Sequence, residues 1–305
     1  MILVAGSANL DFVVRADHIP APGETVLGRQ FKTFPGGKGA NQAVACVRAG
    51  GVDTAMLLAL GNDAFSVPLE ASLRDAGVHL HIKRSSDEPT GTAFICVSDD
   101  AENAITVAPG ANNTLLPSDL PDLKGISHLM MQLETPMATV CAYAKAARAQ
   151  GVKVVLNAAP AQVLPADLLA AIDLLIVNEG ELAVVAGHDG GIEAALAQVN
   201  VPCVVVTLGS QGSFARLRTP DGVKGAQTFR QAAFPITPID TTGAGDTFVG
   251  SFVAALSQGA PMQEALKTAS AASALACLVA GAQSSIPTRA QVDDFLKQFP
   301  ETTVG

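Results

Sequence analysis

The chain has 305 residues, of which 49% are apolar and 15% charged, and its formal net charge is −9. This composition is typical of a globular protein and excludes a disordered or fibrous one. The sequence contains no run of Lys and Arg, so it lacks the basic surface that a nucleic-acid-binding protein normally presents. We therefore predict no nucleic-acid partner.

The sequence also indicates a cell compartment. The first ten residues contain no basic segment, so we expect no signal peptide. The most apolar stretch, residues 268–282, is too short for a membrane span, and no membrane partner is predicted. The cysteines are odd in number and widely spaced, which predicts free thiols in a cytoplasmic protein rather than disulfides or metal ligands. They are Cys46, Cys96, Cys141, Cys203 and Cys277.

Short apolar runs alternate with helical patterns along the chain. Continuous apolarity predicts strands that are buried on both faces, as in a parallel sheet. Helices are predicted between Thr135 and Gly151, and from Pro261 to about Ala280. We predict an α/β fold with a doubly wound, mostly parallel sheet, in which residues 1–305 form a single domain. The predicted strands are residues 2–5, 55–60, 128–132, 154–157, 174–178 and 203–208.

Two stretches, about residues 12–34 and 90–107, are rich in β-forming residues without an intervening helix. In the second, residues 92–97 and 103–107 flank a turn at 98–102, which is typical of a hairpin. We predict that the two stretches form a small antiparallel sheet; two unrelated surface hairpins are the alternative. A small sheet leaves a face or an edge uncovered, so we also predict a homodimer through it.

The most informative motif is Asp-Thr-Thr-Gly-Ala-Gly-Asp-Thr-Phe at residues 240–248. Apolar residues then recur at every fourth position and predict a helix that ends near Gly259. Gly243 and Gly245 precede this helix, where unpaired N–H groups and the helix dipole favour an anion. Asp246 could be a simple helix cap, but a cap does not require two glycines, whereas close approach of a ligand does.

Two further polar segments lie in the first part of the chain. Residues 36–42 read Gly-Gly-Lys-Gly-Ala-Asn-Gln before a helical pattern. They are not a Walker A loop, because Lys38 is followed by Gly rather than Ser or Thr, and a glycine-rich turn is the alternative. Asn9 and Asp11 follow the first strand and would point to one side of an extended chain, where an amide and a carboxylate suit sugar hydroxyls. An Asx turn is the alternative there.

Two more segments follow predicted strands at the edge of the sheet where open α/β sheets bind ligands. They are residues 178–181, Asn-Glu-Gly-Glu, and residues 207–212, Thr-Leu-Gly-Ser-Gln-Gly. The second lacks the G-x-S-x-G spacing of a hydrolase nucleophile. His79 and His81 share a predicted strand face, and a solvated pair is favoured over a metal site because no third ligand is evident.

Three of these runs together resemble the ribokinase family, the phosphofructokinase-B type of carbohydrate kinases. They are Gly-Gly-Lys-Gly-Ala-Asn, Asn-x-x-Glu and Gly-Ala-Gly-Asp, and the resemblance covers nearly the whole chain. It implies a kinase that transfers the γ-phosphoryl group of ATP to a primary hydroxyl of a small furanose, with D-ribose as the predicted substrate. A kinase for deoxyribose, fructose, a nucleoside or a keto-deoxy sugar acid is the alternative within the family. A non-catalytic sugar- or nucleotide-binding protein is the alternative outside it, and the intact Asp246 motif argues against that.

The resemblance also implies a role for each matching residue. Asp246 is the expected catalytic base, with Gly243, Ala244 and Gly245 as the anion hole. The small sheet is the expected lid over the site, and Mg²⁺ and K⁺ are the expected ions. The sugar is expected on Asn9, Asp11, Gly37, Lys38, Asn41 and Glu134. ATP is expected on Asn178, Thr207, Gly209, Ser210, Gly212 and Ser270, the last at a position where the family commonly has His. Mg²⁺ is expected on Glu181 through water, and K⁺ on a loop of Asp240, Thr242, Ala276, Val279, Gly281 and Ser285.

Overall fold

The structure is a computed structural model that describes residues 1–100, 102–218 and 225–299. These residues form thirteen strands and nine α-helices. The strands are β1 (Ile2–Ala5), β2 (Asn9–Arg15), β3 (Arg29–Gly36), β4 (Thr54–Gly61), β5 (His79–Ser85), β6 (Gly91–Val97), β7 (Asn103–Ala108), β8 (His128–Met131), β9 (Lys153–Asn157), β10 (Leu174–Asn178), β11 (Cys203–Thr207), β12 (Ser213–Arg218) and β13 (Ala226–Gln231). The helices are α1 (Lys38–Arg48), α2 (Ser66–Asp75), α3 (Met137–Ala149), α4 (Ala166–Leu169), α5 (Glu179–Ala186), α6 (Ile192–Gln198), α7 (Ala244–Ser257), α8 (Met262–Ala276) and α9 (Arg289–Lys297).

The large sheet has nine strands in the order β13-β12-β11-β10-β9-β8-β1-β4-β5. All neighbours from β11 to β5 run parallel, and β12 and β13 add an antiparallel edge. The doubly wound, mostly parallel sheet predicted from the sequence is confirmed. Each of the six predicted strands is present, although the sequence analysis did not identify β12 and β13.

Helices cover both faces of the large sheet, and each face has its own apolar core. Along β1, Ile2 and Val4 pack on one side with Phe252 of α7, whereas Leu3 packs on the other side with Tyr143 of α3. This alternation follows from the period of two in a strand. Helices bury both faces of the sheet, so polar residues that could form a site are expected where they follow the carboxyl ends of the parallel strands.

The small sheet has the strand order β3-β2-β6-β7 and is formed by the two stretches predicted to form it. It is called the lid sheet below, after its expected role. Both hairpins, β2 with β3 and β6 with β7, are antiparallel. The two hairpins meet along a parallel pair in which Asn9 lies opposite Gly91 and Arg15 opposite Val97. Within the predicted turn at 98–102, Ala101 lies outside the described residues.

One helix boundary differs from the prediction. We expected α8 to continue to about Ala280, but it ends at Ala276. A continuing helix would pair the Gly281 N–H with the Cys277 carbonyl. Instead, the Gly281 N–H donates to Asp240 Oδ2 at 2.9 Å, and the Cys277 carbonyl accepts the N–H groups of Ile239 and Asp240. The loop around Asp240 therefore takes the hydrogen bonds that the next helical turn would need.

Two further observations concern the cysteines and the helices. The five cysteines carry free thiols, with Cys46 and Cys203 buried and the others half-buried. Within the described ranges, no helix is both long enough and apolar enough to cross a bilayer.

Candidate active site

Asp246 lies in the first turn of α7, at the open edge of the large sheet. Gly243 is the N-cap residue, with a left-handed φ of 73°, and a Cβ atom there would lie only 3.1 Å from Ala282 Cα. The N–H groups of Gly245 and Asp246 precede the first intrahelical bond, which Thr247 N makes to the Gly243 carbonyl at 2.8 Å. They are therefore available to an anion. The Asp246 side chain does not cap the helix, so the alternative of a simple cap is wrong.

The two oxygens of the Asp246 carboxylate accept hydrogen bonds from consecutive residues of α1. Asn41 Nδ2 donates to Oδ2 and Gln42 Nε2 donates to Oδ1, each at 2.9 Å. Asn41 was predicted to hold the sugar, and its Oδ1 atom is buried without a partner in the described structure. A sugar hydroxyl could satisfy that oxygen, so the contact with Asp246 is compatible with the predicted role.

The other predicted sugar residues surround a polar site at the base of the lid. Asn9 and Asp11 lie on one face of β2, and Asn9 Oδ1 accepts from Asn112 Nδ2 at 2.8 Å. Glu134 accepts from Ser7 Oγ and, at 3.1 Å, from the backbone N–H of Lys38.

Gly37 caps α1 with a left-handed φ of 93°. A Cβ atom there would lie 2.7 Å from Ala8 Cα, so only glycine fits. This close approach brings the start of α1 against the segment that carries Asn9 and Asp11.

The charges in this site oppose one another. The Asp11 side chain is buried and its carboxyl group accepts no hydrogen bond from the described residues. Burial, then Glu134, then Asp246 raise its pKa to about 7. Lys38 has a raised pKa because Asp246, and less strongly Glu134 and Glu181, favour its charged form against burial. Lys38 is therefore a cation in a group of carboxylates, and Asp11 is a carboxyl group that a set of donors would help to ionise.

A cleft of about 960 Å³ lies beside the N-terminus of α7. Its lining includes every residue predicted to contact ATP: Asn178, Thr207, Gly209, Ser210, Gly212 and Ser270. The lining also includes the apolar residues Phe234, Ile236 and Phe248. A cleft of this volume that is lined by both apolar and polar residues suits a flat aromatic base attached to a polar tail.

A second cavity, of about 180 Å³, adjoins the cleft. Its lining includes Lys38, Glu181 and Asp246, and it shares Asn178, Thr207 and Gly245 with the cleft. Glu181 forms a reciprocal cap with Asn178, whose backbone N–H donates to Glu181 Oε2 at 2.8 Å. The pKa of Glu181 is raised, mainly by burial, so a cation in this cavity would favour its ionised form.

The loop predicted to bind a monovalent cation is brought together around Asp240. Its carboxylate accepts the N–H groups of Thr242 and Gly281, each at 2.9 Å. Burial would raise the pKa of Asp240, but these hydrogen bonds outweigh it and hold the pKa below its usual value. Ser285 is buried, and its hydroxyl donates to the Ala282 carbonyl at 2.8 Å.

The two remaining residues of this loop contribute backbone groups. The Val279 N–H donates to the Ala276 carbonyl at 3.2 Å, and the Val279 side chain is exposed. Ala282 of the same loop touches Gly243, so the loop and the anion-binding end of α7 are in direct contact.

Comparison with known proteins assigns the chain to a family. Residues 1–289 match the family described as pfkB family carbohydrate kinase. The chain belongs to this family. A ribokinase of Haemophilus influenzae is 37% identical over 97% of this chain and 98% of its own length. The structure of a ribokinase from Thermotoga maritima has a TM-score of 0.86 at 35% identity, covering 97% of this chain and 99% of that one. The structure of Arabidopsis thaliana ribokinase complexed with ribose and ATP has a TM-score of 0.87 at 34% identity, covering 97% and 98%.

The family match and the solved relatives confirm the family, the fold and the enzyme class that the motifs predicted.

Several polar residues of the site were not predicted from the sequence. Ser7, Gln42, Asn112 and Gln132 are buried and hydrogen-bonded to predicted site residues or to each other. The available signal was a polar residue in an otherwise apolar strand end or helix face, as at Gln42 and Gln132. The apolar lining around Phe234 gave no signal, since its segment contains no recognisable motif.

Proposed function

We propose that this carbohydrate kinase transfers the γ-phosphoryl group of ATP to the primary O5 hydroxyl of D-ribose, giving ribose 5-phosphate and ADP. The observation that carries the proposal is the position of Asp246. It lines the small cavity that adjoins the nucleotide-sized cleft, and it is hydrogen-bonded to Asn41 on the side of the sugar residues. The ribose- and ATP-bound relative supports the choice of substrates.

Asp246 is the proposed base for the attacking hydroxyl. It would accept the proton of O5 as the hydroxyl oxygen forms a bond to the γ-phosphorus and the bond to the β-phosphate oxygen breaks. The N–H groups of Gly245 and Asp246 would donate to the oxygens of the transferring group, where negative charge is held in the transition state. Lys38 lines the same cavity and adds a positive charge.

The sugar would lie between β2 and the start of α1. Asp11 and Glu134 supply carboxylate acceptors for sugar hydroxyls, and Asn9 and Asn41 supply amides. Several hydrogen bonds to one sugar would fix which hydroxyl faces Asp246. The same residues would therefore bind the sugar and align the attacking hydroxyl. The lid sheet that carries Asn9 and Asp11 would exclude water from the phosphoryl group, which limits hydrolysis of ATP.

Two ions complete the proposal. Glu181 supplies a carboxylate in the small cavity, the oxygen ligand that Mg²⁺ prefers, and would hold Mg²⁺ through water. When bound, Mg²⁺ neutralises charge on the β- and γ-phosphates. K⁺ would lie on the carboxylate and carbonyl oxygens of the loop of Asp240, Thr242, Ala276, Val279, Gly281 and Ser285. The low pKa of Asp240 keeps one negative charge there, which suits a monovalent cation.

We also propose a cytoplasmic homodimer in which residues 1–305 act as one kinase domain. Exposed apolar side chains on the lid, namely Phe31, Phe94, Ile105 and Val107, support a partner surface there. The proposed partner is a second copy of this chain, in keeping with the uncovered face predicted for the small sheet.

A substrate panel tests the proposed function. ADP and phosphorylated product would be quantified directly by chromatography with D-ribose, 2-deoxyribose, fructose, a nucleoside and a keto-deoxy sugar acid. D-Ribose should give the highest kcat/KM, and phosphorus NMR should locate the new phosphate on O5. The Asp246→Asn variant controls for ATP hydrolysis that does not require the base. A tenfold preference for another acceptor would reject ribose, and equal turnover in wild type and Asp246→Asn would reject the proposed catalytic base.

A further inference from the structure

A chain of buried side-chain amides lies behind Asp246. Gln42 of α1 is fully buried, and its Nε2 donates to both Asp246 Oδ1 and Asn157 Oδ1 at 2.9 Å. Gln132 Nε2 donates to Gln42 Oε1 at 2.6 Å. Asn157 Nδ2 in turn donates to the Ile176 carbonyl at 3.0 Å. Residues from α1, β9 and the end of β8 are thus linked to the first turn of α7.

The Ile176 carbonyl fixes the direction of every hydrogen bond among these amides. A backbone carbonyl can only accept, so Asn157 must present its nitrogen to Ile176 and its oxygen to Gln42. Gln42 must then present its nitrogen to Asn157, and the same nitrogen reaches Asp246. Its oxygen is left for Gln132. No flipped arrangement of the Gln42 amide satisfies these partners, so an N–H group is held towards the carboxylate.

The packing leaves little room for rearrangement. Gln132 is fully buried, and a Cβ atom on Gly6 would lie 2.0 Å from Gln132 Oε1. Gln42 itself lies at the contact between α1 and α7, where a Cβ atom on Gly250 would lie 2.5 Å from the Gln42 carbonyl oxygen. The Gln132 amide and the backbone of Gln42 are therefore both closely packed against neighbouring backbone.

We infer that Gln42, oriented by Gln132 and Asn157, is the positioning residue for Asp246. The inference rests on the proposed role of Asp246 as base. The neutral N–H group of Gln42 donates to Asp246 Oδ1 at 2.9 Å and so fixes the orientation of the carboxylate. Together with Asn41 it holds both carboxylate oxygens, so the lone pair that receives the proton has a set direction.

Four variants separate positioning from simple packing. Gln42→Met keeps the length of the side chain but removes the donor, and Gln42→Glu replaces the donor with a second carboxylate. Gln132→Met removes the group that orients Gln42 without touching Asp246. Cys46→Ala is the matched control, because Cys46 lies one turn further along α1 and contacts the Gly250 carbonyl of α7 at 3.4 Å.

Each variant would be assayed on whichever acceptor the wild-type enzyme phosphorylates fastest. Gln42→Met should lower kcat ~10-fold or more, with KM for both substrates changed less than ~3-fold. Gln42→Glu places a second carboxylate against Asp246 and should lower kcat at least as much. Cys46→Ala should keep the kcat and the KM values of the wild type.

The double variant Gln42→Met/Gln132→Met is the sharpest test. If Gln132 acts through Gln42, Gln132→Met should add less than about a twofold loss of kcat when Gln42→Met is already present. A full multiplicative loss, or a Gln42→Met enzyme with wild-type kcat, would overturn the inference.

A ligand-free crystal structure of Gln42→Met tests the positioning role of Gln42 independently of which substrate the enzyme uses. In Gln42→Met the Asp246 carboxylate should leave its contact with Asn41 or adopt more than one rotamer, whichever acceptor the enzyme uses. An unmoved Asp246 side chain would overturn the inference even if no acceptor of the panel were phosphorylated. A displaced carboxylate with no phosphorylated acceptor would instead reject the proposed function and leave the positioning role standing.

Discussion

Replacing Asp11 with Asn should make the ligand-free protein more stable while weakening sugar binding. Asp11 is buried beside Glu134 and Asp246, its carboxyl group receives no hydrogen bond from the described residues, and its pKa is raised from 3.8 to about 7. The carboxylate is therefore unfavourable in the empty site above neutral pH. An Asn side chain of the same shape carries no charge, so it removes that cost.

The size of the effect depends on pH. Between about pH 4 and about pH 7 the unfolded chain has lost the Asp11 proton and the folded protein keeps it, so folding stability falls as pH rises through this range. The difference of about 3 pKa units corresponds to ~4 kcal/mol, as an upper limit. Between about pH 5 and pH 8, the stability advantage of Asp11→Asn over wild type should grow by up to ~3 kcal/mol.

Urea denaturation of the ligand-free proteins at both pH values measures this difference. Asp63→Asn is the control with the opposite sign. Burial opposes ionisation of Asp63, but the backbone and side chain of Thr90 and the N–H groups of Ser66 and Phe65 outweigh it and lower its pKa. Its contribution to stability is fully present above its unfolded pKa of 3.8 and is lost only as pH falls below that value. Asp63→Asn should therefore destabilise the protein by the same amount at about pH 5 and at about pH 8.

Asp11→Asn should also raise KM for the sugar. Hydrogen bonds to a charged acceptor contribute about 1.5–3 kcal/mol each, so Asp11→Asn should raise KM for the sugar by ~10-fold to 100-fold for each bond lost. In wild type, KM for the sugar should rise as pH falls below about 7, because Asp11 then carries a proton in the free enzyme. A stability difference between Asp11→Asn and wild type that is the same at both pH values would refute this account of the site.

Three further predictions follow from the site and the lid. Asp246→Asn should lower kcat by roughly 10²–10⁴-fold while calorimetry still detects sugar and ATP binding, and near-normal turnover would contradict its role as base. K⁺ should raise kcat above its value in Na⁺ or a bulky organic cation at matched ionic strength, with product measured directly by phosphorus NMR, because the Asp240 loop touches Gly243; equal rates would leave Asp240 as a turn residue only. Light scattering at micromolar concentration should give the mass of a dimer, and Phe94→Lys, at an exposed lid position, should shift it to a monomer; an unchanged mass in this variant would place the contact elsewhere.

Local patterns in the sequence were sufficient to predict most of the fold. The continuous apolar runs identified β1, β4, β8, β9, β10 and β11 because parallel strands are buried on both faces. The edge strand β13 was missed since four of its six residues are exposed, so it has no apolar run. The end of α8 was predicted too late because the Cys277 carbonyl and the Gly281 N–H bond to the loop around Asp240, and no pattern within the helix indicates that partner.

The residues of the site were predictable where a motif carried them, but their partners were not. Asn41 and Gln42 are neighbours in the sequence, yet their contact with Asp246 spans more than 200 residues. Spacing cannot show that Gln42 has its partners within the protein whereas Asn41 Oδ1 is buried without one among the described residues. The contact between Ser7 and Glu134 spans 127 residues, and neither residue has a neighbour that predicts the other.

The parallel pairing of β2 with β6 has a consequence for how this lid could be inherited or exchanged. Its two hairpins are separated in the chain by α1, β4, α2 and β5, all of which belong to the core. The lid is therefore not a module that one crossover could transfer between relatives. A chimaera would need two grafts whose strands meet in register, with Asn9 opposite Gly91, and the first graft would carry Asn9 and Asp11 with it. Exchanging the lid sheet would therefore also exchange two of the residues that are proposed to hold the sugar.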